Sequence, residues 1–392
     1  MMTERGAAIG PELFMVALLG FTPTTLVPNT MGDVRALLIS NPNSTSITER
    51  LTRSVVAELR AVPGMKVRAQ FTGHSGHATA MVTGMTRDDF DVIVCMGGDG
   101  TVHEVVNGLL GSSDDGRPMR TAEELPAIAV IPSGSANVLA GAMGLPREAR
   151  LAARVIGELL TEGRERRVTV GRAGERWFVV NTGMGIDADV VSTIEDVRAE
   201  GKSAHALRYV PAVMVAWNRV RQNPPRLTAE VNGEVVGENL PLAIVSNSNP
   251  WTFLGDLAVV TNPGTRLDTG LGFFGMTSLQ GVRGLVGALR LTGTGDSMWR
   301  ALKVAEREIR FDDVDHVRLR SERPLNLQID GEYVDERDHL DITCARGAIS
   351  FIAPDTAREY AHETGDQPWW ARLTAMLGRR VRALMLPRAG GR

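Results

Sequence analysis

Two short stretches carry the residues best suited to chemistry. The first is Gly97-Gly98-Asp99-Gly100-Thr101. Its glycines let a main chain come close to a ligand, and N–H groups at a following helix start suit an anion. Asp99 sits awkwardly in an anion cradle. It belongs there if a metal ion stands between it and phosphates, or if it handles a proton. An ordinary strand–turn–helix connection is the plainer alternative. The second stretch is Asp330-Gly331-Glu332, two carboxylates on either side of a glycine. An Asp-Gly pair after a strand is commonly hairpin chemistry. The sharper reading is phosphoryl transfer, with one carboxylate taking the proton of an attacking hydroxyl and the other helping to hold a magnesium ion.

The surrounding sequence says what must position them. Residues 92–96 are an unbroken apolar run, as in a buried parallel strand. Thr101 and Glu104 have the spacing of a capping box, so a helix is expected to follow, to about residue 110. Further strands are expected at 34–40, 66–71 and 127–131. Helices are expected from Ser46, boxed with Glu49, to about 61, then from 77 to 81, up to 143, and at 147–160. Strands alternating with helices over 34–165 call for a parallel α/β sheet. In such a sheet the turns after the strands share one edge, where ligands bind. Residues 41–46, 72–77, 97–101 and 132–137 should therefore converge, and four turns rich in Gly, Ser, Thr and Asn suit a nucleotide.

The pattern changes after residue 165. Short strands are expected at 167–170, 177–181, 227–231, 234–236, 240–245, 271–276, 308–311, 316–320, 325–329, 338–344 and 348–352, with an Asn232-Gly233 hairpin. This half reads as two packed antiparallel sheets, with one apolar helix at 206–222. Gly183-Met184-Gly185 with Ala188 resembles a dinucleotide fingerprint, but no clear βαβ unit follows it. Gly201-Lys202-Ser203 lacks the earlier glycine of a P-loop.

The 392 residues allow two domains. A net charge of −3 gives no reason to expect nucleic acid as a partner. Cys95 and Cys344 lie in apolar runs and read as buried reduced thiols. No apolar run approaches the ~20 residues that span a bilayer. Residues 1–33 are read as a disordered leader rather than a signal peptide, with Met31 as an alternative start. In the tail, 355–392, Trp369, Trp370, Leu373, Leu377, Val381 and Leu384 recur at helical spacing. The chain from Gln367 onward holds six arginines and no acid, the pattern of a basic amphipathic helix on an anionic membrane surface. A helix docked on its own protein is the alternative. Trp251 and Phe253 are candidates for an exposed apolar lip.

Five blocks in order resemble the diacylglycerol kinase catalytic-domain family, which takes in bacterial diacylglycerol kinases, sphingosine and ceramide kinases and, more distantly, NAD kinases. They are Asn41-Pro42 with Ser44, Thr72 with Gly76-His77-Ala78, the glycine turn with Glu104 and Asn107-Gly108, Pro132-Ser133-Gly134-Ser135-Ala136-Asn137, and Asp330-Gly331-Glu332. The resemblance covers 34–354. It implies an ATP- and Mg2+-dependent lipid kinase with an α/β nucleotide domain at 34–165 and a β-rich acceptor domain at 166–354. The active site would lie in the cleft between them, and the last strands could return to the first domain. It implies that Asn41, Ser44, Thr72, Gly97, Gly98, Asp99, Gly100, Thr101, Val102 and Ser135 contact ATP, with Pro42, Asn43, Thr45 and His103 in the same turns. Asp99 would organise phosphates and magnesium. Asp330 resembles the family's general base and Glu332 its partner, also a candidate magnesium ligand; which of the two takes the proton stays open.

Three departures stand out. Thr45 replaces a glycine, Val138 replaces the acid after Asn137, and Thr269 replaces the aspartate of a structural magnesium loop. Asp268, one residue early, is the remaining candidate for that metal, with carbonyls around Arg266 and Leu271. His74, His77 and His103 read as polar turn residues rather than phosphate donors. The expected acceptor is a diacylglycerol, long-chain base or ceramide hydroxyl, the first giving a phosphatidic-acid product. The chain would then be cytoplasmic, on the inner face of the membrane; homodimerisation is left open. The alternatives are an NAD kinase-like enzyme with a soluble acceptor and a catalytically silent nucleotide- or lipid-binding protein.

Overall fold

The computed structural model describes residues 33–41, 47–111, 116–134, 136–185, 224–254, 257–278 and 307–355. The leader, the apolar helix expected at 206–222 and the basic tail lie outside them.

The first half alternates strictly. β1 (Val34–Ser40), β2 (Met65–Phe71), β3 (Val92–Gly97) and β4 (Ala127–Pro132) pair in parallel in the order β2-β1-β3-β4. β3 and β4 are buried along their whole length, as parallel strands covered on both faces must be. The helices are α1 (Glu49–Arg60), α2 (His77–Val82), α3 (Asp99–Leu110), α4 (Val138–Ala142) and α5 (Ala149–Thr161). α1 packs on α5, where Glu58 receives Arg150 at 2.6 Å and Arg154 at 3.3 Å, and α2 packs on α3. The N-cap of α1 is Thr48, whose hydroxyl accepts the Leu51 N–H, and not the expected Ser46.

The second half continues the same ladder of hydrogen bonds. β5 (Arg166–Ala173), β6 (Arg176–Phe178), β7 (Asn181–Gly185), β8 (Leu227–Val231), β9 (Glu234–Leu240), β10 (Leu242–Ser246), β13 (Leu271–Met276), β14 (Glu308–Val314), β15 (His316–Ile329) and β16 (Glu332–Phe351) are antiparallel to one another. A small separate ribbon joins β11 (Thr252–Leu254) to β12 (Leu257–Val259). At its far end β16 meets β4 in parallel, Phe351 opposite Ile128, and the Ile352 N–H donates to the Ile128 carbonyl at 2.8 Å. The sheet is therefore mixed: parallel strands from the first half and antiparallel strands from the second.

Two cores result. One, with Leu37, Val94, Val105 and Phe351, fills the parallel half, and the other, with Phe178, Phe273, Leu319 and Leu340, fills the antiparallel half. Five expected strands are redrawn. Residues 316–320 and 325–329 are one strand with a bulge, and 338–344 and 348–352 belong to one twenty-residue strand. The strand expected at 177–181 is two strands, broken at Val179 and Val180. No helix among the described residues is long and apolar enough to cross a membrane.

Candidate active site

β1 lies between β2 and β3, so the winding of the sheet reverses there. The crevice at that switch point is where an open α/β sheet takes a ligand. Asn41 follows β1. Thr72 follows β2, and its N–H donates to the Ser40 carbonyl at 2.9 Å. The glycine turn follows β3, and Pro132 stands opposite Gly97 in the ladder. The described parts of all four turns share this edge. Pro42, Asn43, Ser44, Thr45 and Ser135 lie outside the described residues.

The expected capping box does not form. α3 begins at Asp99 with Gly98 as N-cap, and no side chain caps its first N–H groups. Glu104 instead accepts the N–H of Gly76 at 2.8 Å and of Ala78 at 2.9 Å, and so ties down the start of α2. The open end of a twelve-residue helix, with its positive dipole end at the crevice, is suited to phosphate. Val102 sends its side chain into the core and its N–H to Gly98.

Gly98 and Gly134 lock two turns together. A Cβ on Gly134 would lie 2.6 Å from the Gly98 Cα, so the close approach requires glycine. Asn137 adopts a left-handed backbone, φ 49°. It thereby turns the N–H groups of Val138 and Leu139 onto the two Asp99 oxygens, at 2.9 and 3.0 Å. Burial pushes the Asp99 carboxyl up; these two N–H groups oppose the rise, and the Asp330 charge adds to it.

Asp330 and Gly331 form the two-residue turn between β15 and β16, both with positive φ (50° and 79°), as a type I′ hairpin needs. The hairpin alternative and the functional reading are thus both true of this pair. The Asp330 side chain has no exposed surface. It accepts four hydrogen bonds: His103 Nδ1 at 2.9 Å, and the N–H groups of Val179, Val180 and Asn181 at 3.0, 2.8 and 3.1 Å. That is why the expected strand breaks at Val179 and Val180. Their carbonyls are satisfied by Asn247, from its side chain and its N–H respectively. Such a carboxylate suits holding chain segments together better than taking a substrate's proton.

Glu332 is placed differently. It opens β16 and reaches across to α3, so that a Cβ on Gly100 would lie 2.7 Å from its Oε1. The glycine turn of one half and the carboxylate of the other therefore meet.

Sequence reasoning missed how they are aligned. Gly100, His103 and Asn107 form one stripe of α3 at i, i+3, i+7 spacing, and each meets the second half. Asn107 accepts the Trp177 N–H at 2.9 Å and donates to the Trp177 carbonyl at 2.9 Å. His103 does not group with the turn histidines as expected. It is buried on Asp330, whereas His74 and His77 stack at 4.8 Å and His77 Nδ1 accepts the Gly73 N–H. Burial works against a charged His103, but the hydrogen bond and charge of Asp330, with the charge of Glu332, outweigh it and raise its pKa. The stripe spacing was the available signal.

The structural metal loop does not fit a cation. Arg266 donates to both Asp268 oxygens, at 3.0 and 3.1 Å, and the Thr269 hydroxyl donates to the Arg266 carbonyl at 3.0 Å. Among the described residues no cluster of three or more His, Cys, Asp or Glu is disposed to hold a metal ion. Trp251 is half-buried against Phe274 and Met276 rather than standing out as a lip. Cys95 is buried and Cys344 half-buried; both are free thiols whose pKa burial raises, that of Cys344 to about 11.

Residues 35–173 match the family model of the diacylglycerol kinase catalytic domain. The chain is 27% identical over 83% of its length to a "probable lipid kinase YegS-like" protein of Chromohalobacter salexigens, covering 95% of that protein. It is 25% identical over 76% of its length to a diacylglycerol kinase of Bacillus subtilis, covering 90% of it. In fold it is similar to a diacylglycerol kinase crystal structure from Bacillus anthracis, with a TM-score of 0.57 at 20% identity, covering 82% of this chain and 97% of that one. The edge turns, the open helix start and the carboxylate brought to it are the features of a phosphotransferase with an alcohol as acceptor; residues 35–173 carry the match to the diacylglycerol kinase catalytic domain, and over most of its length the chain is similar to lipid kinases.

Proposed function

We propose that the chain moves the γ-phosphoryl group of ATP to the hydroxyl of a membrane lipid, a diacylglycerol or a related long-chain lipid. The observation that carries this reading is Glu332 at Gly100, a carboxylate from one half set against the anion-binding turn of the other.

The first N–H groups of α3 bind the phosphates, and Asn41 and Thr72 flank the nucleotide from the neighbouring strand ends. Glu332 takes the proton of the lipid hydroxyl. The hydroxyl oxygen bonds to the γ-phosphorus, the bond from that phosphorus to its bridging oxygen breaks, and ADP leaves with the electron pair. Asp330, filled by four donors, holds the turn that carries Glu332. The donor set fits magnesium of the kind that arrives with phosphates and takes one or two protein carboxylates. Asp99 and Glu332 are the residues to hold it: Asp99 is driven toward the neutral form by burial and by the Asp330 charge, and a cation relieves both. When bound, the ion neutralises charge on the phosphates. The basic tail gives access to an anionic membrane surface.

The test is incubation with labelled ATP, magnesium and vesicles bearing diacylglycerol, sphingosine or ceramide, beside soluble NAD. Label in a lipid is expected. Label in NAD alone sinks the reading, and so does label in none. Removing residues 367–392 should weaken sedimentation with anionic vesicles; unchanged sedimentation removes the tail's membrane role.

A further inference from the structure

α3 carries the phosphate-facing turn at its start and the stripe Gly100, His103, Asn107 along one face. Three of the four donors to Asp330 are main-chain groups of the β6–β7 junction, in the same half as Asp330. The fourth, His103, crosses from the nucleotide half over 227 positions of sequence. Both side chains are sealed, at 8% and 0% exposure.

We infer that His103 is a positioning residue: by clasping Asp330 it fixes the Asp330-Gly331 turn to α3 and so sets Glu332 over Gly100. This rests on the reading that phosphoryl transfer occurs in this cleft. The chemistry of the pair suits the task. A buried carboxylate is costly unless paired and hydrogen-bonded, and an imidazole supplies both a donor and a charge. Glu332 also favours the charged ring, and Arg176 opposes it. Asn107 faces Nε2 at 3.4 Å with its amide also donating to the His103 and Trp177 carbonyls. A hydrogen bond from a helix one turn beyond the phosphate-binding end couples nucleotide and base geometry directly. A displacement of about 1 Å between reacting groups costs on the order of 100-fold in rate.

The experiment compares His103→Leu with His103→Gln in the full chain. The leucine variant should lose roughly 10- to 100-fold in kcat with KM for ATP nearly unchanged, because the nucleotide is held by other groups. The glutamine variant, which restores a donor, should recover most of the loss. Unchanged kcat in the leucine variant overturns the inference, as does a rise in KM for ATP at constant kcat. Hydrogen exchange supplies a readout independent of turnover: amides of residues 329–333 should exchange faster in the leucine variant than in wild type, while those of β3 and β4 do not change. Unaltered exchange in 329–333 overturns the clasp whatever the activity. Faster exchange there, with a wild type that labels no lipid, upholds the clasp and sinks only the functional reading. If the leucine variant fails to fold, His103→Asn, with a shorter side chain, takes its place under the same criteria.

Discussion

Glu332 Oε1 occupies the space that any side chain on Gly100 would need: a Cβ there would stand 2.7 Å from it. Gly100 lies in the first turn of α3, where alanine is the better helix former by about 1 kcal/mol. Gly100→Ala should therefore leave the melting temperature equal or raised, while displacing Glu332 and lowering kcat roughly 10-fold or more. Thermal melts and steady-state kinetics on the same preparation check this. Retained activity would mean that Glu332 has room to work elsewhere.

The second contact of the same turn predicts the opposite balance. A Cβ on Gly134 would meet the Gly98 Cα at 2.6 Å and Asn137 Oδ1 at 3.0 Å, and a backbone atom cannot swing aside as a side-chain end can. Gly134→Ala should cost about 1–3 kcal/mol, as overpacking does. It should also raise KM for ATP, because the two phosphate-side turns are forced apart. A stable variant with unchanged KM contradicts the packing argument.

Much of this was legible in the sequence, for physical reasons. Residues 92–96 and 127–131 are too apolar to be anything but buried strands, and the turns after them carry their own chemistry. What was hidden depended on distant groups. Thr101 and Glu104 have capping-box spacing, but Glu104 serves Gly76 and Ala78 on another helix, a demand no local window shows. Residues 177–181 look like one strand, and only the Asp330 carboxylate, about 150 positions on, explains the break. In β16 only Leu340, Ile342, Ile349, Ser350 and Phe351 are buried, and Asp335, Glu336 and Arg337 at its start masked the continuous strand. His103 was read with the other turn histidines, although its spacing from Gly100 and Asn107 put it on one stripe of the helix facing the second half.

The His103–Asp330 pair also predicts a pH dependence of stability. The folded-state pKa of His103 is raised above its ordinary value of about 6.5. A raised base contributes stability that is fully present below the unfolded value and is lost as pH rises through the folded one. The stability gap between wild type and His103→Gln should be widest near the acid end of a pH 6–9 series and narrow toward its alkaline end, roughly following that titration. Urea unfolding at each pH measures the gap. A gap that widens with pH would show that the imidazole is held neutral.

The Asp268–Arg266 pair predicts the response to metal removal. Both Asp268 oxygens are taken by one guanidinium, at 3.0 and 3.1 Å, and this holds the carboxyl below its ordinary range. No cation is needed to satisfy that loop, whereas magnesium in the cleft would come with the nucleotide. A chelator should therefore leave the melting temperature of nucleotide-free protein unchanged, and should abolish both turnover and any stabilisation by ATP. The Asp268 side chain is 41% exposed and its ion pair lies at the surface, so Asp268→Asn should shift stability by no more than about 1 kcal/mol. A large fall in melting temperature on adding chelator to the nucleotide-free protein would show a structural ion after all. The first place to look for its ligands would be the carbonyls of Arg266 and Leu271, with Asp268 released from its arginine.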